Sequence, residues 1–207
     1  MCVAGCGVAR QQAPWPHGSP RIEVAGGIYH VNAKAVDGAN LFRDDVDRLS
    51  FIQRLGDQAT SSQWSVLAYS LMTTHFHVLL RLAKPSLSNG FRSLNGLYAK
   101  DYNRRHGRRG ALWQRRFYDS MIEGDAHLLE TIRYIARNAP RANLVTAAEE
   151  WPWCSYGSAI GVLPRDPIVD EVELLGLFGT RPELARSRLR AFVEEPDPRR
   201  RRGLTAV

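Results

Sequence analysis

Two apolar runs, residues 64–72 (WSVLAYSLM) and 75–82 (HFHVLLRL), are separated only by Thr73 and Thr74. Each is rich in large apolar and aromatic residues and too short for an ordinary helix. A two-residue connector dictates an antiparallel hairpin, because a parallel partner needs a crossover of a dozen residues or more. The chain must therefore build a sheet, and the segments flanking the hairpin must supply its other strands and its cover.

Those segments follow a readable order. Residues 27–36 are strand-like through Ile28, Tyr29 and Val31 and end at the Asp37-Gly38 turn. Val46, Leu49, Ile52 and Leu55 recur at helical spacing behind Asp44, a capping residue. After the hairpin, Leu87, Phe91, Leu94 and Tyr98 form one stripe of a second helix from Ser86 to about Arg104. A glycine turn at 107–110 leads to a predicted last strand over 111–122, and a third helix is predicted from about 125 to 138, before Pro140. The order β-α-β-β-α-β plus a helix predicts an α+β, ferredoxin-like antiparallel sheet with helices on one face and the other face open.

This domain is expected to span 21–150 and to be followed by a helical extension over 151–195, with helices near 170–177 and 182–193. The Gly- and Pro-rich residues 1–20 read as a disordered leader, and 196–207, with Arg199–Arg202, as an arginine tail that adds phosphate affinity. Apolar runs fall far short of a membrane span. Three scattered cysteines, Cys2, Cys6 and Cys154, argue against a disulfide framework and for a cytoplasmic protein.

Charge narrows the partners. There are 28 basic and 21 acidic residues, and all the basic ones except Lys34, Lys84 and Lys100 are arginines. Between Arg81 and Tyr118 ten basic residues face a single acid, Asp101, so the excess is concentrated rather than spread. Arginine grips phosphate bidentately and stacks on bases, which makes this stretch a candidate polyanion face.

Two strand histidines stand out. His75 and His77 lie two apart, so both imidazoles leave one face of the strand while Phe76, Val78 and Leu80 leave the other. Because the apolar set belongs against the helices, the pair is expected on the open face, as half of a metal site or as ordinary polar histidines. In the third helix, Leu128, Leu129, Ile132, Ile135 and Ala136 make the buried stripe. At roughly 100° per residue, Tyr134 and Asn138 fall on the opposite edge, leaving a phenol and an amide free for chemistry or for packing against a neighbour.

Over about two thirds of its length the chain resembles the REP-associated tyrosine transposases, relatives of the single-tyrosine HUH transposases. The resemblance is carried by RIEVAGGIYHV (21–31), LAYSLMTTHFHVLL (67–80), LYAKDYNRRHGRRGALWQRRFYDSMIEGD (97–125), LLETIRYIARNAPRANLV (128–145) and WPWCSY (151–156). It implies that His75 and His77 bind a divalent ion, Mg²⁺ or Mn²⁺, with Asn138 as third ligand, and that Tyr134 is the nucleophile. The implied activity is nicking and strand transfer of single-stranded, hairpin-containing DNA through a 5′-phosphotyrosine link, by a monomer or homodimer away from membranes. Arg104, Arg105, Arg108, Arg109, Arg115 and Arg116 are expected to hold phosphates and Trp113 or Tyr118 to stack a base. Thr73-Thr74 and Asn138-Ala139-Pro140 depart from the family's Pro-Asn and Asn-Pro and imply altered loop geometry. The competing reading is a non-catalytic nucleic-acid-binding module on the same fold. An RRM lacks its aromatic strand signature here, and a histidine-triad hydrolase lacks its third histidine, position 79 being leucine.

Overall fold

In the computed structural model, which describes residues 21–196, the hairpin forms as the sequence dictates: β2 (Trp64–Leu71) and β3 (His75–Leu82). The expected leader, and the tail beyond residue 196, lie outside the described residues. β1 (Ile28–Lys34) pairs antiparallel with β3, and β4 (Tyr118–Met121) pairs antiparallel with the other side of β1. The sheet order β2-β3-β1-β4, with α1 (Asp45–Ser62) between β1 and β2 and α2 (Leu87–Arg105) between β3 and β4, is the α+β, ferredoxin-like arrangement expected.

Neither threonine of the hairpin turn adopts positive φ. The turn is held from outside instead: the Thr73 carbonyl accepts from Leu41 and Phe42, and the Thr74 carbonyl from Ala35. Those bonds fix the mouth of β3, where His75 begins.

Phe76 marks the helix face. Its ring meets Phe51 of α1 at 4.7 Å and Phe91 of α2 at 6.2 Å, centroid to centroid. Leu87, Phe91, Leu94 and Tyr98 of α2 are all buried, as their spacing predicts. In α1 the stripe is displaced. Asp44 does cap the helix, accepting from Asp47 N, but Phe51, Leu55 and Ala59 point inward while Val46 and Leu49 are exposed. Rows that start one residue apart both satisfy a 3–4 spacing, and the aromatic cluster around Phe51 selects one of them.

Three expectations need correction. The last strand covers only 118–121, because residues 111–117 loop across α2, where Trp113 donates from Nε1 to the Asn95 carbonyl. The second sheet face is also not open. α3 (Gly124–Ala136) packs on β2 and β3, so that Leu79 and Ala68 are buried beneath Ile132, Ile135 and Ala136. α3 stops two residues early; Asn138 opens a separate turn, α4 (Asn138–Arg141).

The remaining chain, α5 (Tyr156–Ala159), α6 (Glu171–Gly176) and α7 (Pro182–Glu194), shares this second core through Tyr156, Leu174 and Leu189. On its way it bonds along the outer edge of β2, with Leu71 N to the Trp153 carbonyl and Asp170 N to the Val66 carbonyl. That edge is thereby satisfied rather than left as a template for another strand.

Candidate active site

The residues singled out from sequence meet on the α3 face of the sheet. β1 and β3 are registered so that His30 lies opposite Leu79 and Asn32 opposite His77, which puts His30, His75 and His77 on one face. Above them, the Tyr134 ring stands edge-on to His77 at 5.3 Å and to His30 at 6.0 Å. Asn138 is buried beside His75, and His75 lies 5.1 Å from His77, ring to ring.

Tyr134 is aimed by its neighbour in sequence. Arg133 is only 4% exposed: its Nε donates to the Phe192 carbonyl of α7 at 3.0 Å, its guanidinium lies 3.8 Å over the Phe192 ring, and it pairs with Glu130 and Glu195. Rotating α3 would tear these interactions out. Tyr134, at roughly 100° from Arg133, is thus held over the histidines and remains 40% exposed. The Arg141 guanidinium sits 5.7 Å from its ring.

His30 escaped the sequence reading. Its Nε2 lies 2.9 Å from His77 Nδ1, and His77 Nε2 is buried with no hydrogen-bond partner. A buried ring nitrogen without a partner is costly unless a ligand satisfies it. If Nε2 is to accept or coordinate, it must be bare; the proton then sits on Nδ1 and is donated to His30. The only sequence signal for this was an alternating strand carrying a histidine, IYHVNAK.

All three rings are neutral at physiological pH. Burial, reinforced by His30 and His75, holds His77 well below the ordinary imidazole range. Burial, with His127 nearby, lowers His30 to about 4. Burial also lowers His75, though Asn138 works against it. Folded-state values below the unfolded value of 6.5 mean that the unfolded chain takes up protons first as pH falls. The contribution is intact above 6.5 and lost toward 4, reaching about 3 kcal/mol from His30 alone. Urea unfolding in chelator should therefore show a midpoint that drops across this window, and His30→Asn should flatten the drop. A midpoint indifferent to pH would contradict buried, neutral rings.

The donor set is two imidazoles and an amide. Among the described residues no three His, Cys, Asp or Glu side chains converge as a metal site. Two neutral imidazoles plus an amide suit a hard or borderline divalent ion that fills its other positions with water or phosphate oxygens, not a tightly caged zinc. The orphaned His77 Nε2 and the unpartnered, buried Asn138 Nδ2 fit such a set once the amide turns its oxygen inward.

The arginines expected to line one DNA face are divided. Arg105 is bound by Asp44 at 2.7 Å and Asp47 at 2.5 Å, which ties α2 to the start of α1. Arg104 pairs with Asp101, and Arg108 reaches Asn103. Arg109, Arg115 and Arg116 are exposed. Trp113 does not stand free as a stacking platform: its ring packs edge-on to Phe76 and tilted on Tyr98. The acidic partners of Arg105 lie some 60 residues away in sequence, which is why a local charge count overstated the available cations.

The fold is similar to the solved structure of a REP-associated tyrosine transposase bound to a REP hairpin: TM-score 0.59 and 15% identity, covering 72% of this chain and 88% of the other. A curated REP-associated tyrosine transposase homologue from Haemophilus influenzae is 33% identical over 54 residues, 26% of this chain; the match spans 31% of that relative's length. No helix among the described residues is long and apolar enough to cross a membrane. A family model described as transposase, IS200-like, matches residues 24–138, more than half of the chain and the whole stretch from β1 to Asn138; the chain belongs to that family.

Proposed function

We propose that the protein cuts and rejoins single-stranded DNA next to hairpins, with Tyr134 as the nucleophile. The observation that carries this reading is the Tyr134 ring held 5.3 Å from a histidine whose Nε2 is buried and unsatisfied. Family membership supports it, and so does the hairpin in the similar solved structure.

In this reading the Tyr134 phenol gives its proton to solvent, and its oxygen attacks the scissile phosphorus. A Tyr–O–P bond forms, the P–O3′ bond breaks, and the departing 3′ oxygen takes a proton to become a hydroxyl. A 3′-OH from another DNA end reverses the step and needs no ATP, because the covalent link retains the bond energy. A divalent ion, Mg²⁺ or Mn²⁺, held by His75, His77 and Asn138, would supply Lewis acidity to the phosphate. Arg141 adds positive charge beside the ring where that phosphate would lie. His30 fixes the His77 tautomer and tilt.

The chain, given Mn²⁺ and a hairpin with single-stranded flanks, should yield a protein–DNA adduct that survives denaturing electrophoresis and vanishes with EDTA. No adduct with any divalent ion, alongside intact hairpin binding, would leave the non-catalytic binding module as the answer. His30→Ala should lower Mn²⁺ affinity and cleavage by roughly 10–100-fold, the usual cost of losing a partner that orients a metal-bound histidine. Unchanged Mn²⁺ binding by this variant would remove His30 from the account.

A further inference from the structure

On the other side of the sheet, between the first half of α2 and the loop before β4, lies a groove of about 540 Å³, within the size range of small-ligand sites. We propose that it is a nucleotide pocket, taking one unpaired base and its flanking phosphates from the DNA strand that is cut at Tyr134. The inference rests on the DNA reading above.

Three features select a nucleotide. Arg92, Arg115 and Arg116 line the groove, are exposed, and have no acidic partner among the described residues; no unpaired carboxylate lines it. Arg21, also in the wall, is already neutralised by Asp119, donates to the Phe117 carbonyl, and has its guanidinium carbon 3.9 Å from the centre of the Phe117 ring. It offers a planar guanidinium surface rather than a free charge. The third feature is Asn95. It is 8% exposed, its side-chain amide makes no hydrogen bond, and its Oδ1 is fully buried. A phosphate alone would satisfy the arginines and leave this amide unpaired. A base edge, with a donor beside an acceptor, would satisfy both ends of the amide once the side chain turns toward the groove. Trp113 is locked beside it by the bond from its Nε1 to the Asn95 carbonyl, giving the base a rigid apolar wall.

Position adds a consequence for the path of the strand. Phe91, in the groove floor, stacks on Phe76, whose side chain leaves β3 opposite to His75 and His77. A strand seated here reaches Tyr134 only by rounding β4, and Arg116 lies two residues before that strand starts. The groove would therefore set how far from the cut an unpaired base must lie, which is a specificity element separate from the chemistry.

The test uses the full chain, a fluorescein-labelled oligo(dT) of about a dozen nucleotides, and an abasic strand of equal length, with anisotropy followed across salt concentrations. Arg92→Ala and Arg116→Ala should each reduce the salt slope by about 0.7 for every phosphate left without its arginine. Asn95→Leu should shrink the preference for oligo(dT) over the abasic strand by roughly tenfold, and Asn95→Asp, nearly the same shape, should weaken both strands. Equal parent affinity for the two strands, or salt slopes untouched by both arginine changes, overturns the pocket. Hairpin cleavage by the same preparations separates the two readings: a parent that cleaves while the groove variants bind normally sinks the pocket alone. A parent that never cleaves, yet shows the predicted changes in binding, sinks the nucleophile alone.

Discussion

Tyr134→Phe should abolish the covalent protein–DNA adduct, lowering hairpin cleavage by a factor on the order of 10³ or more while leaving DNA affinity within about twofold. The change removes one oxygen and keeps the ring that sits edge-on to His77 and His30. Packing is preserved because Tyr134 is 40% exposed and the register of α3 is set by Arg133, not by the phenol. Adduct gels with end-labelled hairpin, beside anisotropy on the same variant, separate chemistry from binding. Residual cleavage at the parental rate would mean that water or another side chain attacks, and the strand-rejoining step would lose its basis.

The second large effect concerns stability and reverses a simple rule. Gly90 lies inside α2, where replacing glycine by alanine ordinarily gains about 1 kcal/mol. Here a Cβ would fall well inside van der Waals contact distance of Cζ2 and Cη2 in the six-membered ring of Trp64. That indole cannot easily retreat: its Nε1 donates to Ser86 Oγ at 2.9 Å, and its ring stacks on Phe91 at 5.0 Å. Overpacking against an anchored ring costs about 3 kcal/mol or more, so the clash outweighs the propensity gain. Gly90→Ala should therefore lose about 2 kcal/mol net, or roughly 4–8 °C in Tm for a chain of this size. A rise in Tm would show that Trp64 moves freely.

What sequence reveals here follows the range of the interaction. The hairpin, the shared face of His75 and His77, and the off-stripe position of Tyr134 are set by spacings of two to four residues, and all three are present as expected. His30 pairs with His77 across 47 residues, so only the strand register exposes it. The same holds for Arg105, whose charge is taken up by Asp44 and Asp47, and for Trp113, whose ring is claimed by Phe76 and Tyr98. The covered second face was missed for a different reason. Alternation in β3 identifies two faces, but Leu79 on the histidine side was outweighed by its polar neighbours, although a buried leucine there requires a lid.

The brace between Arg133 and the end of α7 makes the C-terminal helices part of the aiming device, though they contribute no reactive group. A graft that transplants only the stretch from β1 to the end of α4 onto another carrier would keep Tyr134, the three histidines, Asn138 and Arg141, and would lose the fixture that holds the phenol over the imidazoles.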